Sequence, residues 1–194
     1  MGKFQGREDV PLNMAGIEQV KEAATFLKNF NWKVILTSPL SRAKASAEIV
    51  SKAVSSPESG NTEIHEEPDF IERDYGKLSG KVSTEHEKYF PDEKNTGIEP
   101  YEALQSRVVN ALLKYAKEYE GNNILIVSHG AAINSIMTYF KNETAIRKTP
   151  IKNASITFLE KTDDEIRTVF FNKTAVELSL STRVDKMKMV CPHV

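Results

Sequence analysis

Apolar residues recur at helical spacing in four places along this chain and crowd into short β-rich runs between them. Residues 14–30 put Ile17, Val20, Ala24 and Leu27 on one face, with Asn13 placed to cap the helix start. "KVILTSP", 33–39, reads as a short strand that ends in polar residues. Pro39 then opens a helix over 39–54, where Ala43, Ala47 and Val50 repeat at helical spacing. "SSPESGN", 55–61, has the composition of a loop, and "TEIHE", 62–66, that of a short strand. Residues 70–100 mix Gly, Pro and charge without a period and predict irregular chain with short helical pieces. The longest amphipathic pattern follows at about 100–119, with Leu104, Val108, Leu112, Tyr115 and Tyr119 on its apolar face. Gly121 stops it. An apolar run, Ile124 to Val127, then ends at Ser128-His129-Gly130, and a helix is expected from about 131 to 141. "ASITFLE" and "EIRTVFF" predict two strands near the end.

Strands alternating with helices, with no repeat or linker between them, predict one α/β domain over residues 1–194 built on a mostly parallel sheet. Its 40% hydrophobic and 27% charged composition is that of an ordinary globular protein. A net charge of −1 gives no reason to expect nucleic acid or an anionic membrane as partner. No apolar run approaches the ~20 residues that span a bilayer. The opening "MGKFQGRED" is too polar for a signal peptide, and the single Cys191 cannot form an internal disulfide. Together these point to the cytoplasm. The Asn-x-Ser/Thr sequons at Asn142, Asn153 and Asn172 are then chance matches.

Candidate chemistry gathers at two strand ends. In open α/β sheets, ligands bind beyond the carboxyl ends of the strands, and a helix starting there points free N–H groups and partial positive charge at the same place. His129 sits at such an end, beside Gly130, although a strand-end histidine can equally be satisfied by a neighbouring carbonyl. "ILTSPLSRA" repeats the design and puts Arg42, a fork of donors suited to phosphate, in the first turn of its helix. An exposed helix arginine is the plainer reading of Arg42 alone; two such groups on successive βα units favour a phosphate pocket. Glu72, flanked by Phe70 and Ile71, can be a shielded acid with a raised pKa, or a loop glutamate paired with Arg73 or Lys77.

"LTSPLSRAKASAE", "IERDYGKLSG" and "ILIVSHGAAIN" together resemble three ordered signatures of the histidine phosphatase superfamily, the phosphoglycerate-mutase-like fold. "KFQGREDVPLNMAGIEQ" is similar to that family's segment just after its first motif, and "GIEPYEALQSRV" and "NASITFLE" fit its later pattern. The resemblance covers nearly the whole chain and implies a three-layer α/β sandwich. It also implies phosphoryl transfer through a phosphohistidine without metal or other cofactor. By motif, Glu72 would protonate the leaving oxygen, His129 would be the family's second histidine, and Arg42 a phosphate arginine. Gln5 would reach the phosphate rim, and Ser128 and Gly130 would shape the turn that holds substrate.

One family feature has no match. The family's strand with its Arg-His-Gly nucleophile precedes the segment that matches "KFQG", and His65, His86 and His193 lack that context. The first strand is therefore expected to be missing and the chain to be shortened at its N-terminus, inactive or crippled as it stands. Loss of a central strand would remove about 6–12 kcal/mol of burial, comparable with a domain's whole stability. Three functions remain in view: a phosphomonoesterase acting on a small phosphorylated metabolite, a mutase-type phosphoryl transferase, or a phosphate-binding relative without chemistry. The short segment after Glu72 favours the first. Lys77, Lys81, Lys88 and Tyr89 can line the rim, and an open strand slot leaves a homo-oligomer possible.

Overall fold

The computed structural model describes residues 3–55, 62–81, 97–162 and 165–180. Its centre is a three-stranded parallel sheet in the order β2-β1-β3, with β1 at Val34–Thr37, β2 at Glu63–Glu66 and β3 at Ile124–Val127. The registers Val34↔Glu63 and Val34↔Ile124 align the three strands, so their carboxyl ends share one edge. Ser38, Glu67 and Ser128 leave from that edge.

The period-2 alternation of β1 sorts its side chains between two helical layers. Val34 and Leu36 enter one core with Leu104, Val108 and Leu112 of α3 (Tyr101–Glu118) and Ala132 and Ile136 of α4 (Gly130–Lys141). Ile35 faces the other way, into a core with Val20, Ala24 and Leu27 of α1 (Met14–Leu27) and Ala47 and Val50 of α2 (Ser41–Val54). The result is the expected α/β sandwich with a parallel central sheet and helices on both faces. Asn13 caps α1 as expected, its side chain accepting from Gly16 N at 2.8 Å. The apolar face of α3 is buried from Leu104 to Tyr115, while Tyr119 is half-buried at its end.

The two late strands, β4 (Ile156–Lys161) and β5 (Ile166–Lys173), form an antiparallel hairpin of their own rather than extending the parallel sheet. Phe158 and Phe170 stack within it, and Phe170 meets Phe26 of α1 edge-on. A short helix, α5 (Ala175–Ser179), returns Ala175 and Leu178 to the α1 core. Among the described residues β3 pairs with β1 alone, and its four residues are half-buried where those of β1 are fully buried.

Helix α2 departs from expectation at its start. Pro39 does not open it. Ser38 Oγ accepts from Leu40 N, Asp9 Oδ1 accepts from Ser41 N at 2.7 Å, and the helix begins at Ser41 under that remote carboxylate cap. Among the described residues, the irregular stretch after Phe70 holds a short 3₁₀ turn, Gly76–Leu78, preceded by another at Pro68–Phe70. The loop expected at 55–61 lies, but for Ser55, outside the described residues.

Candidate active site

Strands β1 and β3 deliver Ser38 and His129 side by side. Ser38 N donates to Val127 O at 3.0 Å, which ties the two strand ends together. His129 Nε2 then lies 2.7 Å from the buried Ser38 Oγ. Burial, helped by the nearby charges of Arg42 and Arg107, pushes the imidazole down to about 3. The ring is neutral at ordinary pH and ready to hydrogen-bond.

His129 is also the residue from which α4 starts, and its extended backbone (φ −127°, ψ 170°) is that of an N-cap. The first N–H groups of that helix were expected to receive a ligand's anion. They receive Glu72 instead. Its Oε2 accepts from Ala131 N at 3.2 Å, and its Oε1 from Ala132 N at 3.3 Å and from Arg73 N at 2.8 Å. A carboxyl group at a helix start satisfies orphan donors and meets the positive end of the dipole. Burial nevertheless dominates: it lifts Glu72 above the usual carboxylate range, against the three N–H bonds and the charge of Arg42. Two of the three N–H groups engage Oε1, so the open valence for a proton is on Oε2. Neither ion pair considered for Glu72, with Arg73 or Lys77, forms.

Arg42 enters from the first turn of α2 and braces the loop at residues 5–9. Its Nη2 donates to Gly6 O and its Nη1 to Glu8 O, each at 2.8 Å. Gly6 has φ +52°, and a Cβ there would sit 3.1 Å from the Tyr75 ring and 3.2 Å from Arg73 O, so glycine lets this loop lie against the Glu72 segment. Partial burial lowers the Arg42 pKa, with the Glu72 and Asp9 carboxyls opposing. The group stays cationic. No described carboxylate forms an ion pair with it.

Of the other expected residues, Gln5 is exposed in the loop that Arg42 braces. Ser128 Oγ donates to Phe70 O at 2.8 Å and so ties β3 to the chain that leads into Glu72. Gly130 begins α4 with Ile151 and Glu72 Oε2 both just under 4 Å from where its Cβ would be. Lys77 and Lys81 are described; Lys88 and Tyr89 lie outside the described residues. Four partners escaped the pattern reading. Ser38 offered a signal, a small polar residue at the first of two matched strand ends. Arg107, Glu99 and Arg7 offered none, because their pairing joins segments far apart in the chain. Among the described residues no cluster of three or more His, Cys, Asp and Glu has an arrangement that could hold a metal. No described helix is long and apolar enough to cross a membrane.

A three-layer α/β sandwich thus gathers a neutral histidine, a partly buried arginine and a shielded carboxylic acid at one edge of its parallel sheet. The profile of the histidine phosphatase superfamily (branch 1) matches residues 1–174, and the chain belongs to that family. It is 36% identical over 171 residues to the uncharacterized phosphatase PhoE of Bacillus subtilis (strain 168), covering 88% of this chain and 86% of that one. A metal-independent phosphoserine phosphatase of Arabidopsis thaliana is 27% identical, over 84% of this chain and 71% of its own. Among solved structures, a phosphoserine phosphatase mutant from Entamoeba histolytica in complex with phosphoserine superposes with a TM-score of 0.73 at 27% identity, covering 88% of each chain. Bacillus stearothermophilus YhfR shares the fold, with a TM-score of 0.78 at 22% identity over 89% of each chain.

Proposed function

We propose that this protein is a phosphomonoesterase acting on a small phosphorylated metabolite through a phosphohistidine, with Glu72 as the acid. The observation that carries the reading is the Glu72 carboxyl, held at the start of α4 beside His129 with a raised pKa and one open oxygen valence. Such a group stays protonated longer than a free carboxylic acid and can pass its proton to the oxygen that leaves phosphorus. Arg42 supplies positive charge for the phosphoryl oxygens, and neutral His129 supplies a hydrogen bond.

In the reaction, a histidine nitrogen attacks phosphorus as the P–O bond to the leaving group breaks, and the Glu72 proton moves to that oxygen. Water then attacks the phosphohistidine, loses a proton to Glu72 and releases inorganic phosphate, which restores the acid. On this reading the attacking histidine belongs to an Arg-His-Gly strand end that comes ahead of the Gln5 loop. His65 is unsuited to that attack, because it lies within β2, 2.7 Å from Glu63. The short stretch between Glu72 and α3 favours transfer to water over the mutase reaction.

The test is hydrolysis of p-nitrophenyl phosphate at mildly acidic to neutral pH with EDTA present. The 194-residue chain is compared with the same chain preceded by its natural upstream codons. Turnover that needs the upstream segment, with a Glu72→Ala loss of at least about 100-fold on phenyl phosphate but less than about tenfold on p-nitrophenyl phosphate, supports the reading. An extended protein that binds phosphate but never turns over supports a ligand-binding role instead. Turnover by the short chain that His129→Ala abolishes would make His129 the nucleophile.

A further inference from the structure

The Glu72 segment has no regular structure of its own, so something else must fix its position. Between the 3₁₀ turn at Pro68–Phe70 and Arg73 the backbone neither continues a helix nor joins the sheet. Four consecutive carbonyls are nevertheless held, each by a side chain from elsewhere. Arg107 Nη1 donates to Asp69 O at 2.6 Å and to Ile71 O at 2.8 Å. Ser128 Oγ takes Phe70 O. Arg107 Nη2 donates to Glu72 O at 3.1 Å, and Arg7 Nε adds a longer bond of 3.3 Å to the same oxygen.

The guanidinium of Arg107 is itself aimed by Glu99. Its Nε donates to Glu99 Oε1 at 2.7 Å and its Nη2 to Oε2 at 2.9 Å, and both side chains are largely buried. All five N–H donors of a guanidinium are then used inside the protein. Glu99 extends the hold in both directions. Its carbonyl accepts from Arg73 Nε, its Oε2 from Asp74 N, and its Oε1 pairs with Arg7 Nη2 at 3.4 Å. Arg7 belongs to the loop that Arg42 braces, so Glu99 connects the two sides of the site.

We propose that Arg107, aimed by Glu99, is the positioning residue that seats the Glu72 carboxyl on the start of α4. This deepens the phosphatase reading, on which it rests for the meaning of Glu72 as the acid. Arg107 touches no reacting atom; it acts by fixing the backbone from which Glu72 projects. A planar fork is required because the acceptors are two carboxylate oxygens on one side and three carbonyls on the other, which an ammonium cannot reach together.

The experiment is an NMR titration of the Glu72 side-chain carboxyl in the full chain, with amide exchange measured at Ala131 and Ala132. Wild type is compared with Arg107→Gln and Arg107→Lys, and binding of inorganic phosphate is measured on each protein. In the wild type Glu72 titrates above 4.5, and the two amides, bonded to its carboxylate, are protected. In Arg107→Gln the carboxyl leaves its buried seat. Its titration falls toward 4.5 and the two amides exchange at least about tenfold faster, while Leu36 in the central strand keeps its protection. Arg107→Lys lies between. If Arg107→Gln does not fold, the lysine variant decides by the same readouts. Unchanged Glu72 titration in a folded variant would overturn the proposal, and so would faster exchange spread evenly to Leu36. Phosphate binding, measured on the protein carrying its natural upstream codons, separates the two readings: if that wild type ignores phosphate while Glu72 still responds to Arg107, the phosphatase reading is sunk and this one upheld.

Discussion

Arg42 and Arg107 both lie near Glu72 and use their donors differently. Both rise from helices and both brace irregular chain through its carbonyls. Arg107 is matched by the Glu99 carboxylate and has all five N–H groups engaged. Arg42 makes its two bonds to Gly6 and Glu8, and among the described residues no carboxylate neutralises it by contact. A saturated, charge-matched arginine has nothing left to offer a ligand. A half-satisfied one, at the rim of a buried acid, has both charge and donors for an oxyanion. Residue type alone did not separate these roles; the identity of the partners does.

The comparison breaks first on stability. Removing Arg107 as Arg107→Ala takes the main partner from the buried Glu99 carboxylate, leaving it the longer ion pair with Arg7, and should cost about 3–5 kcal/mol in urea unfolding, whereas Arg42→Ala should cost about 1–2. Equal losses would erase the distinction. It sharpens next on catalysis, in protein that turns over. Glu72→Gln should slow phenyl phosphate, a poor leaving group, by about 10²–10³ and p-nitrophenyl phosphate by less than about tenfold. Arg107→Lys should copy that pattern on a smaller scale, because it works through Glu72. Arg42→Ala should slow both substrates alike.

A further effect concerns pH. His129 binds its proton near 6.5 when unfolded and only near about 3 when folded. The unfolded chain therefore takes up the proton first as pH falls, and stability drops between those values by up to about 1.4 kcal/mol per pH unit. His129→Asn should flatten that slope, which chemical unfolding at a series of pH values would show. The smallest effect is a remote control. Thr174 caps α5 in a reciprocal box with Glu177, and Thr174→Ala should cost about 1 kcal/mol without touching phosphate binding.

Much of this architecture was legible in the pattern of residues. The four helices and the strands at 34–37 and 124–127 follow from spacing, since a buried face at 3.6 or 2 residues leaves a direct mark on the chain. The strand ends followed as well, and with them Arg42 and His129. What the pattern could not carry was pairing across distance. The antiparallel hairpin at 156–173 looks, in its residues, like two more strands of any sheet. The occupant of the α4 start is a carboxylate from 59 residues before Ala131, brought there by tertiary packing alone. The Arg107–Glu99 pair joins α3 to the Glu72 segment through carbonyls, and a carbonyl has no letter in a sequence.

The most direct test of the Arg42 assignment is calorimetric binding of orthovanadate, a phosphate-like oxyanion, to the full chain in EDTA. Wild type, Arg42→Ala and, as a control on β2, His65→Ala are compared. Arg42→Ala is expected to weaken binding by about 100-fold, some 2.7 kcal/mol, while His65→Ala changes it less than about twofold. Equal affinity in all three proteins would contradict the assignment, because Arg42 would then have no part in holding the anion.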